Sequence, residues 1–386
     1  MAIKIITTVS FPFGNASANR IHSFAKGFNF NGAETEVICL TANLPETYSL
    51  SYKGLFDKVS YIYLPNRVHR PKSFLKRRYF RFLGILKAII GVIFHYDKST
   101  SVILIATPSI ALFTLLLSCR LKGISIYAEA CEYPYLSLKQ SIFRQLFLKC
   151  FYQLFTGYIF ESVPVHEHYK KYISKDKPVI IIPATQIYDD IIIQSPSSDE
   201  KYFAYCGSVT SEEKDGLRQV IQAFNQIAQT DKNVKFYIVG RINNQKYYQS
   251  LLDLIQKLQL GSRVILTKEV SRKEYVNYLV NAYAFIVGKT ANSIHSGLPS
   301  SKVVEYLFTG HPVIMSKDDG YGEILEDRKE AYFIDVTNRD EITEAFQYLL
   351  NNPLIAKTIG LNGLKQAYNN FDYKTHSKSI IEFIAS

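Results

Sequence analysis

The chain lacks any cysteine pattern that could hold it together. Its five cysteines, Cys39, Cys119, Cys131, Cys150 and Cys206, are odd in number and scattered, without the spacing of a disulfide framework or a zinc site. That excludes a small stapled scaffold and suits a reducing, cytoplasmic compartment. Internal repeats and low-complexity tracts are missing too, which sets aside solenoids and disordered tails. The start, Met1 to Phe11, has one lysine and an apolar stretch too short for a signal peptide, so it reads as a first buried strand. The eight histidines show no ligand spacing, and His166 and His168 read as surface-loop residues. One uncharged run, Ser99 to Cys119, is nominally long enough to span a bilayer, but Pro108 interrupts it. A β-branched run, Val102 to Ala106, then a turn at Thr107-Pro108 and a helix from Ile110 are expected there instead.

What is present is a chain of 386 residues, 47% hydrophobic and 20% charged, rich enough in Tyr (28) and Phe (25) to bury large cores. The net charge of +11 is uneven. Residues 1–195 carry 23 Lys and Arg against 12 Asp and Glu, whereas residues 196–386 carry 22 of each. A basic first half points to an anionic partner, whether an acidic membrane surface, a phosphorylated substrate or nucleic acid.

Short β-rich runs alternate with helix-like segments: Ile3–Val9, Glu36–Leu40, Val102–Ala106, Ile124–Ala128, Tyr158–Phe160 and Val179–Ile182, then Tyr202–Tyr205, Lys235–Val239, Arg263–Leu266, Ala284–Val287, Pro312–Met315 and Ala331–Ile334. This alternation predicts an α/β protein of two Rossmann-like, doubly wound domains that face an interdomain cleft. The expected boundaries are 1–185 for the first domain, 186–200 for a polar linker, 201–365 for the second domain, and 366–386 for a helix packing back towards the first domain.

Residues 67–94 interleave Arg67, Arg70, Lys72, Lys76, Arg77, Arg78, Arg81 and Lys87 with Phe74, Phe80, Phe82 and Leu83. Such a segment suits a helix lying in an anionic membrane interface, and equally a solvated helix that covers a core. No nucleic-acid motif accompanies the charge.

The stretch Ser296 to Ile314, SGLPSSKVVEYLFTGHPVI, joins a small-residue turn to a short helix and a strand. Gly297, Pro299, Ser300 and Ser301 would turn backbone N–H groups towards a phosphate at the helix start. Lys302 in the first helical turn opposes the helix dipole unless an anion is near. Glu305, three residues on, could accept hydrogen bonds from ribose hydroxyls, or serve as a capping residue of an ordinary helix.

Taken in order, Tyr202 to Gly216 (YFAYCGSVTSEEKDG), Lys235 to Arg241, Val264 to Val287 and Ser301 to Ile314 resemble the donor domain of glycosyltransferase family 4 and related GT-B enzymes. The first half, above all Phe11 to Leu40, resembles the family only in outline. The resemblance implies a GT-B fold in which Lys214 neutralises the donor diphosphate and Glu305 binds the donor ribose. It also makes 1–185 the acceptor-binding and 201–365 the donor-binding domain. It places the turn at Gly207 near the phosphates, the turn from Leu266 to Val270, with Lys268 and Val270, against the nucleobase, and Gly14 and Asn15 near the donor phosphates and acceptor. Two positions depart from the family pattern. Gly297 stands where a second glutamate is usual, and Ser208 where an arginine often follows the first glycine. Lys289 or Lys302 could supply the second cation, and His295 lies beside the phosphate turn.

At the end of a predicted strand, Ile126 to Leu136 carries Glu129 and Glu132, which read either as groups that position an acceptor hydroxyl or as exposed loop glutamates. No Asp-x-Asp motif is present, so no metal and no other cofactor is expected. The resulting expectation is a retaining, metal-independent hexosyltransferase acting on a nucleotide-sugar donor and a lipid-linked glycan acceptor in surface polysaccharide assembly. It would lie in the cytoplasm, peripheral to the inner face of the membrane, with residues 67–94 on the anionic surface. The alternatives are a sugar-nucleotide epimerase of the same fold and a non-catalytic two-lobed sugar- or phosphate-binding protein.

Overall fold

A computed structural model describes residues 1–14, 16–133, 141–191, 200–290, 299–317 and 320–386. They divide into two compact units, residues 1–186 with 373–386, and residues 187–372. Of the expected linker at 186–200, residues 192–199 lie outside the described residues.

Unit 1 is built on a sheet ordered β3-β4-β2-β1-β5-β6-β7-β8. Its strands are β1 (Ala2–Thr7), β2 (Glu34–Cys39), β3 (Lys53–Phe56), β4 (Val59–Tyr63), β5 (Thr100–Ile105), β6 (Ser125–Ala130), β7 (Gly157–Phe160) and β8 (Val179–Ile181). All neighbours pair in parallel except β3 with β4. The central strands are covered on both faces, so β5 is buried at every position and reads from Val102 to Ile105 as a continuous apolar run rather than an alternating one. Helices α1 (Ala16–Phe30), α2 (Phe74–Phe94), α3 (Ile110–Lys122), α4 (Ile142–Tyr152) and α5 (Val163–Tyr169) follow the strands. The run 99–119 forms β5 and α3, with the Ser109 hydroxyl accepting from the Leu112 N–H at the helix start. Among the described residues no helix is long and apolar enough to cross a membrane.

Two features of unit 1 differ from the sequence expectation. The β3–β4 hairpin was not anticipated, because its two turn residues, Asp57 and Lys58, both take positive φ (48° and 65°) without a glycine or asparagine to announce it. His166 and His168 lie on helix α5, not on a loop, and the His166 ring stacks on Phe160.

Unit 2 carries a fully parallel sheet ordered β11-β10-β9-β12-β13-β14. The strands are β9 (Tyr202–Cys206), β10 (Lys235–Val239), β11 (Val264–Lys268), β12 (Ala284–Val287), β13 (Val313–Ser316) and β14 (Tyr332–Ile334). Its helices are α6 (Glu212–Asp215), α7 (Leu217–Thr230), α8 (Gln245–Lys257), α9 (Arg272–Val280), α10 (Ser301–Leu307), α11 (Arg339–Asn351) and α12 (Pro353–Phe371). In α7 the buried residues Leu217, Val220, Ile221, Phe224 and Ile227 recur at helical spacing and form the face that meets the sheet. Two Rossmann-like sheets in one chain are what the strand and helix alternation predicts.

The chain returns to unit 1 with α13 (Tyr373–Ala385), which packs on α1. The two helices approach so closely that a Cβ on Gly27 would lie 2.0 Å from Ser377 Oγ and 2.7 Å from the Tyr373 carbonyl oxygen. Gly27→Ala is therefore expected to cost about 1–3 kcal/mol through forced separation of α1 and α13. Urea denaturation checks this against Gly261→Ala, where a Cβ meets nothing within 4 Å. Equal midpoints for the two variants would contradict the packing described.

Candidate functional site in unit 2

In unit 2 the strand order turns between β9 and β12, and in open parallel sheets such a switch opens a crevice at the carboxyl ends of the two strands. The loop leaving β9 begins at Gly207, and the one leaving β12 runs through Gly288 and Lys289. A buried carboxylate, Asp215, shapes the first loop. It accepts hydrogen bonds from the backbone N–H groups of Thr210 (2.5 Å) and Ser211 (3.2 Å) and from the Tyr205 hydroxyl (2.6 Å), and it pairs with the Lys302 ammonium at 3.3 Å. The Lys302 stem runs over Gly207, and its ammonium lies 4.8 Å from the centroid of the Tyr205 ring. The anion that offsets Lys302 against its helix dipole is thus Asp215.

A second cluster surrounds Glu305 on α10. Its Oε1 accepts from Arg272 Nη1 and its Oε2 from the Tyr275 hydroxyl, both at 2.8 Å. The remaining edge of Arg272 makes a two-pronged pair with Asp190, at 2.8 and 3.0 Å. Both partners of Glu305 come from the first turn of α9, which a capping box fixes: the Ser271 hydroxyl accepts from the Glu274 N–H, and the Glu274 carboxylate accepts from the Ser271 N–H. Burial, and then the neighbouring Glu305, pushes the Tyr275 hydroxyl well above the usual phenol range, so it serves as a donor. Tyr306 ties α10 to the end of β9 by donating to the Cys206 carbonyl at 2.7 Å and accepting from the Cys206 N–H at 2.8 Å. Glu305 and Lys302 are therefore carried by a helix anchored to the strand that starts the switch.

The other sequence-assigned residues of this unit fall around the same strand ends. Lys214 lies half-buried in α6, and Lys289 is buried beyond β12, its N–H donating to Ser316 Oγ at 2.8 Å. Ser300 precedes α10 and accepts from the Tyr321 hydroxyl through its carbonyl, and Ser301 begins the helix. Lys268 is exposed at the end of β11 with φ 64°, its carbonyl accepting from the Gly240 N–H, and Val270 is half-buried before α9. His295 and Gly297 lie outside the described residues.

In unit 1, Gly14 sits in the loop after β1, which the mutual Phe11–Tyr63 backbone-to-hydroxyl bonds hold, and Asn15 is outside the described residues. Glu129 is a buried β6 residue and not an exposed loop glutamate. Its Oε1 lies 2.5 Å from Arg20 Nε, and Arg20 also donates to the carbonyls of Ile182 and Pro183 at 2.9 Å. Glu132 is exposed beyond the strand end, and its carbonyl accepts from the Tyr169 hydroxyl. Among the described residues no group of three or more His, Cys, Asp or Glu could hold a metal ion.

Sequence reasoning missed Asp190, Asp215, Arg272 and Tyr275. The Ser271-to-Glu274 capping box was a readable signal that would have put Arg272 and Tyr275 in the opening turn of a helix. Nothing comparable marks Asp190 or Asp215.

Residues 188–366 match the model of the family described as glycosyl transferases, group 1. The chain is similar to alpha-1,3/1,6-mannosyltransferase ALG2 of Dictyostelium discoideum, 26% identical over 144 residues, 37% of this chain and 33% of that one. It is also similar to the capsular polysaccharide biosynthesis glycosyltransferase CapM of Staphylococcus aureus, 22% identical over 174 residues, 45% of this chain and 43% of that one. The chain thus spans less than half the length of either curated relative. The fold matches Anabaena HepE, solved in complex with UDP and glucose, with a TM-score of 0.72 at 16% identity over 100% of this chain and 99% of that one.

Removing the Asp215 carboxylate would leave Lys302 and two loop N–H groups without their anion. Asp215→Ala is expected to cost about 3–5 kcal/mol. Chemical denaturation measures this, and a loss under about 1 kcal/mol, the size expected of a surface pair, would show that the cluster does not hold the loop.

Proposed function

We propose, from the premise that residues 188–366 belong to the group 1 glycosyl transferases, that the protein moves a sugar from a nucleotide-sugar donor to a glycan acceptor. The observation that carries this reading is the clustering of Glu305, Lys302 and Lys289 around the β9–β12 switch, inside the matched region. A carboxylate has about four lone-pair positions, so Glu305 keeps acceptor capacity for ribose hydroxyls beyond the bonds from Arg272 and Tyr275. Glycosyl transfer from a nucleotide builds charge on a diphosphate leaving group, and fixed positive groups lower that barrier. Lys289, Lys302 and Lys214 supply them in this reading, with no metal ion. Retention at the transferred sugar's anomeric carbon and a hexose as the sugar follow from the family resemblance.

The acceptor half of the proposal is a lipid-linked glycan in surface polysaccharide assembly. The likeness to CapM supports the pathway, and α2 supports the membrane. On that helix Leu75, Tyr79, Phe82, Leu86, Ile90 and Ile93 are all exposed, between 40% and 75%. Their spacing of three and four residues makes one straight apolar line of about 27 Å. Lys72, Lys76, Arg78 and Arg81 flank its first half, the pattern of a helix lying in an anionic bilayer interface. Unit 1 also holds the Arg20–Glu129 pair, and Glu129 acts in this reading by positioning the acceptor side, with the exposed Glu132 beside it.

A screen of nucleotide-sugars for slow hydrolysis tests the donor half. Release of one nucleoside diphosphate, reduced at least about tenfold in Glu305→Ala, is the expected result, because a lost hydrogen bond to a charged group is worth about 1.5–3 kcal/mol. Binding without release under every condition would point instead to a two-lobed binding protein. The membrane half predicts co-flotation with phosphatidylglycerol vesicles at low salt, falling as salt rises. Protein that stays free of the vesicles would end that reading.

A further inference from the structure

The inner face of α2 changes character along its length. Gly84, Ile85, Ala88 and Val92 are buried, and a Cβ on Gly84 would lie 2.2 Å from the Leu40 carbonyl oxygen, so this half of the helix rests directly on the segment leaving β2. One to two turns earlier the same face passes through Arg77 and Arg81, which with Arg78 line a cavity of about 450 Å3. Thr41, Asn43 and Arg70 form its other wall. That wall is tied to the carboxyl end of β1, because Thr41 Oγ1 donates to the Thr8 carbonyl at 2.9 Å and the Asn43 amide donates to Thr41 Oγ1 at 2.8 Å. The cavity therefore opens at the sheet edge where ligands of this fold class are held.

Four arginines line this one space, and among the described residues none of them is paired with a carboxylate. Arg20, Arg272 and Arg328 each have such a partner. Like charges crowded around a cavity repel, and an anion in the cavity removes that cost. The guanidinium groups of Arg77 and Arg78 also lie 5.9 and 4.6 Å from the Phe74 ring centroid, which limits their freedom before any ligand arrives. Planar guanidinium forks match the oxygens of a phosphate two at a time. The volume exceeds that of a single ion and falls within the range of about 300–1,000 Å3 typical of ligand pockets.

We propose that this cavity binds the phosphate or diphosphate group through which the acceptor glycan is joined to its lipid. The inference rests on the reading of a lipid-linked acceptor. It assigns the cavity to the head of that lipid, while the apolar line on the opposite face of α2 meets the bilayer. The same helix then does two separable jobs, one by charge and one by apolar contact.

Sedimentation with phosphatidylcholine vesicles carrying either phosphatidylglycerol or a long-chain polyprenyl diphosphate, matched in surface charge, separates the two. Titration with inorganic diphosphate runs beside it. The wild-type protein is compared with Arg77→Gln/Arg81→Gln, with its lysine counterpart Arg77→Lys/Arg81→Lys, and with Leu75→Gln/Phe82→Gln, after their unfolding midpoints are shown to agree. The wild type is expected to prefer the polyprenyl diphosphate vesicles by about tenfold, the scale of a charge-assisted hydrogen bond. The glutamine pair should bring that ratio close to one, and the lysine pair should leave it in between. The Leu75/Phe82 variant should lose vesicle binding and keep the titration with inorganic diphosphate. A wild-type ratio near one, or a ratio unchanged by the glutamine pair, overturns the proposal. Arginine-dependent binding of inorganic diphosphate with no vesicle binding by the wild type would overturn the lipid source and assign the cavity to a soluble phosphate, while the donor reading of unit 2 stands apart from either result.

Discussion

A buried carboxylate is costly unless every lone pair finds a donor, and Asp215, at the end of α6, meets that demand with two backbone N–H groups, a phenol and an ammonium. Those four bonds decide the shape of the loop between β9 and α7. They also decide where Lys302 can be, since its ammonium must reach Asp215 while its stem crosses Gly207. Once Lys302 is placed, Glu305 on the next turn of the same helix is placed with it. Arg272 and Tyr275 then hold the Glu305 carboxylate from the far side. The site is thus a chain of charge compensation that begins in the core and ends at the surface of the crevice.

Unit 1 solves a similar problem with a different pair. Arg20 reaches from α1 under the sheet edge to Glu129 on β6 and to two carbonyls just beyond β8, joining elements far apart in the chain. In both units a buried ion pair sits near the carboxyl ends of the strands, where the sheet itself leaves polar groups uncovered. Such pairs are poor sources of net stability but strongly favour one arrangement of loops over others.

The strands were legible because nearly all belong to parallel sheets covered on both faces, so they appear as short apolar runs that local pattern detects. The β3–β4 hairpin escaped because Asp57 and Lys58 adopt positive φ by virtue of their surroundings, Asp57 being paired to Lys26 and His22 of α1. Lys302 and Glu305 could be read from spacing along one helix. Asp215, Arg272 and Asp190 could not, because their roles depend on side chains that meet across 33 to 87 positions of sequence. Glu129 was found as a residue but not as a buried one, since its burial depends on Arg20, 109 positions earlier.

The return of α13 to unit 1 has a bearing on how the polypeptide is made. Unit 2 is contiguous, so all of its strands and helices have been synthesised by residue 372, ahead of α13. Unit 1 begins first yet stays unfinished, with the Gly27 face of α1 waiting for Ser377 and Tyr373. A chain in which α13 has not yet docked on α1 would leave an apolar helix surface exposed for chaperones to hold.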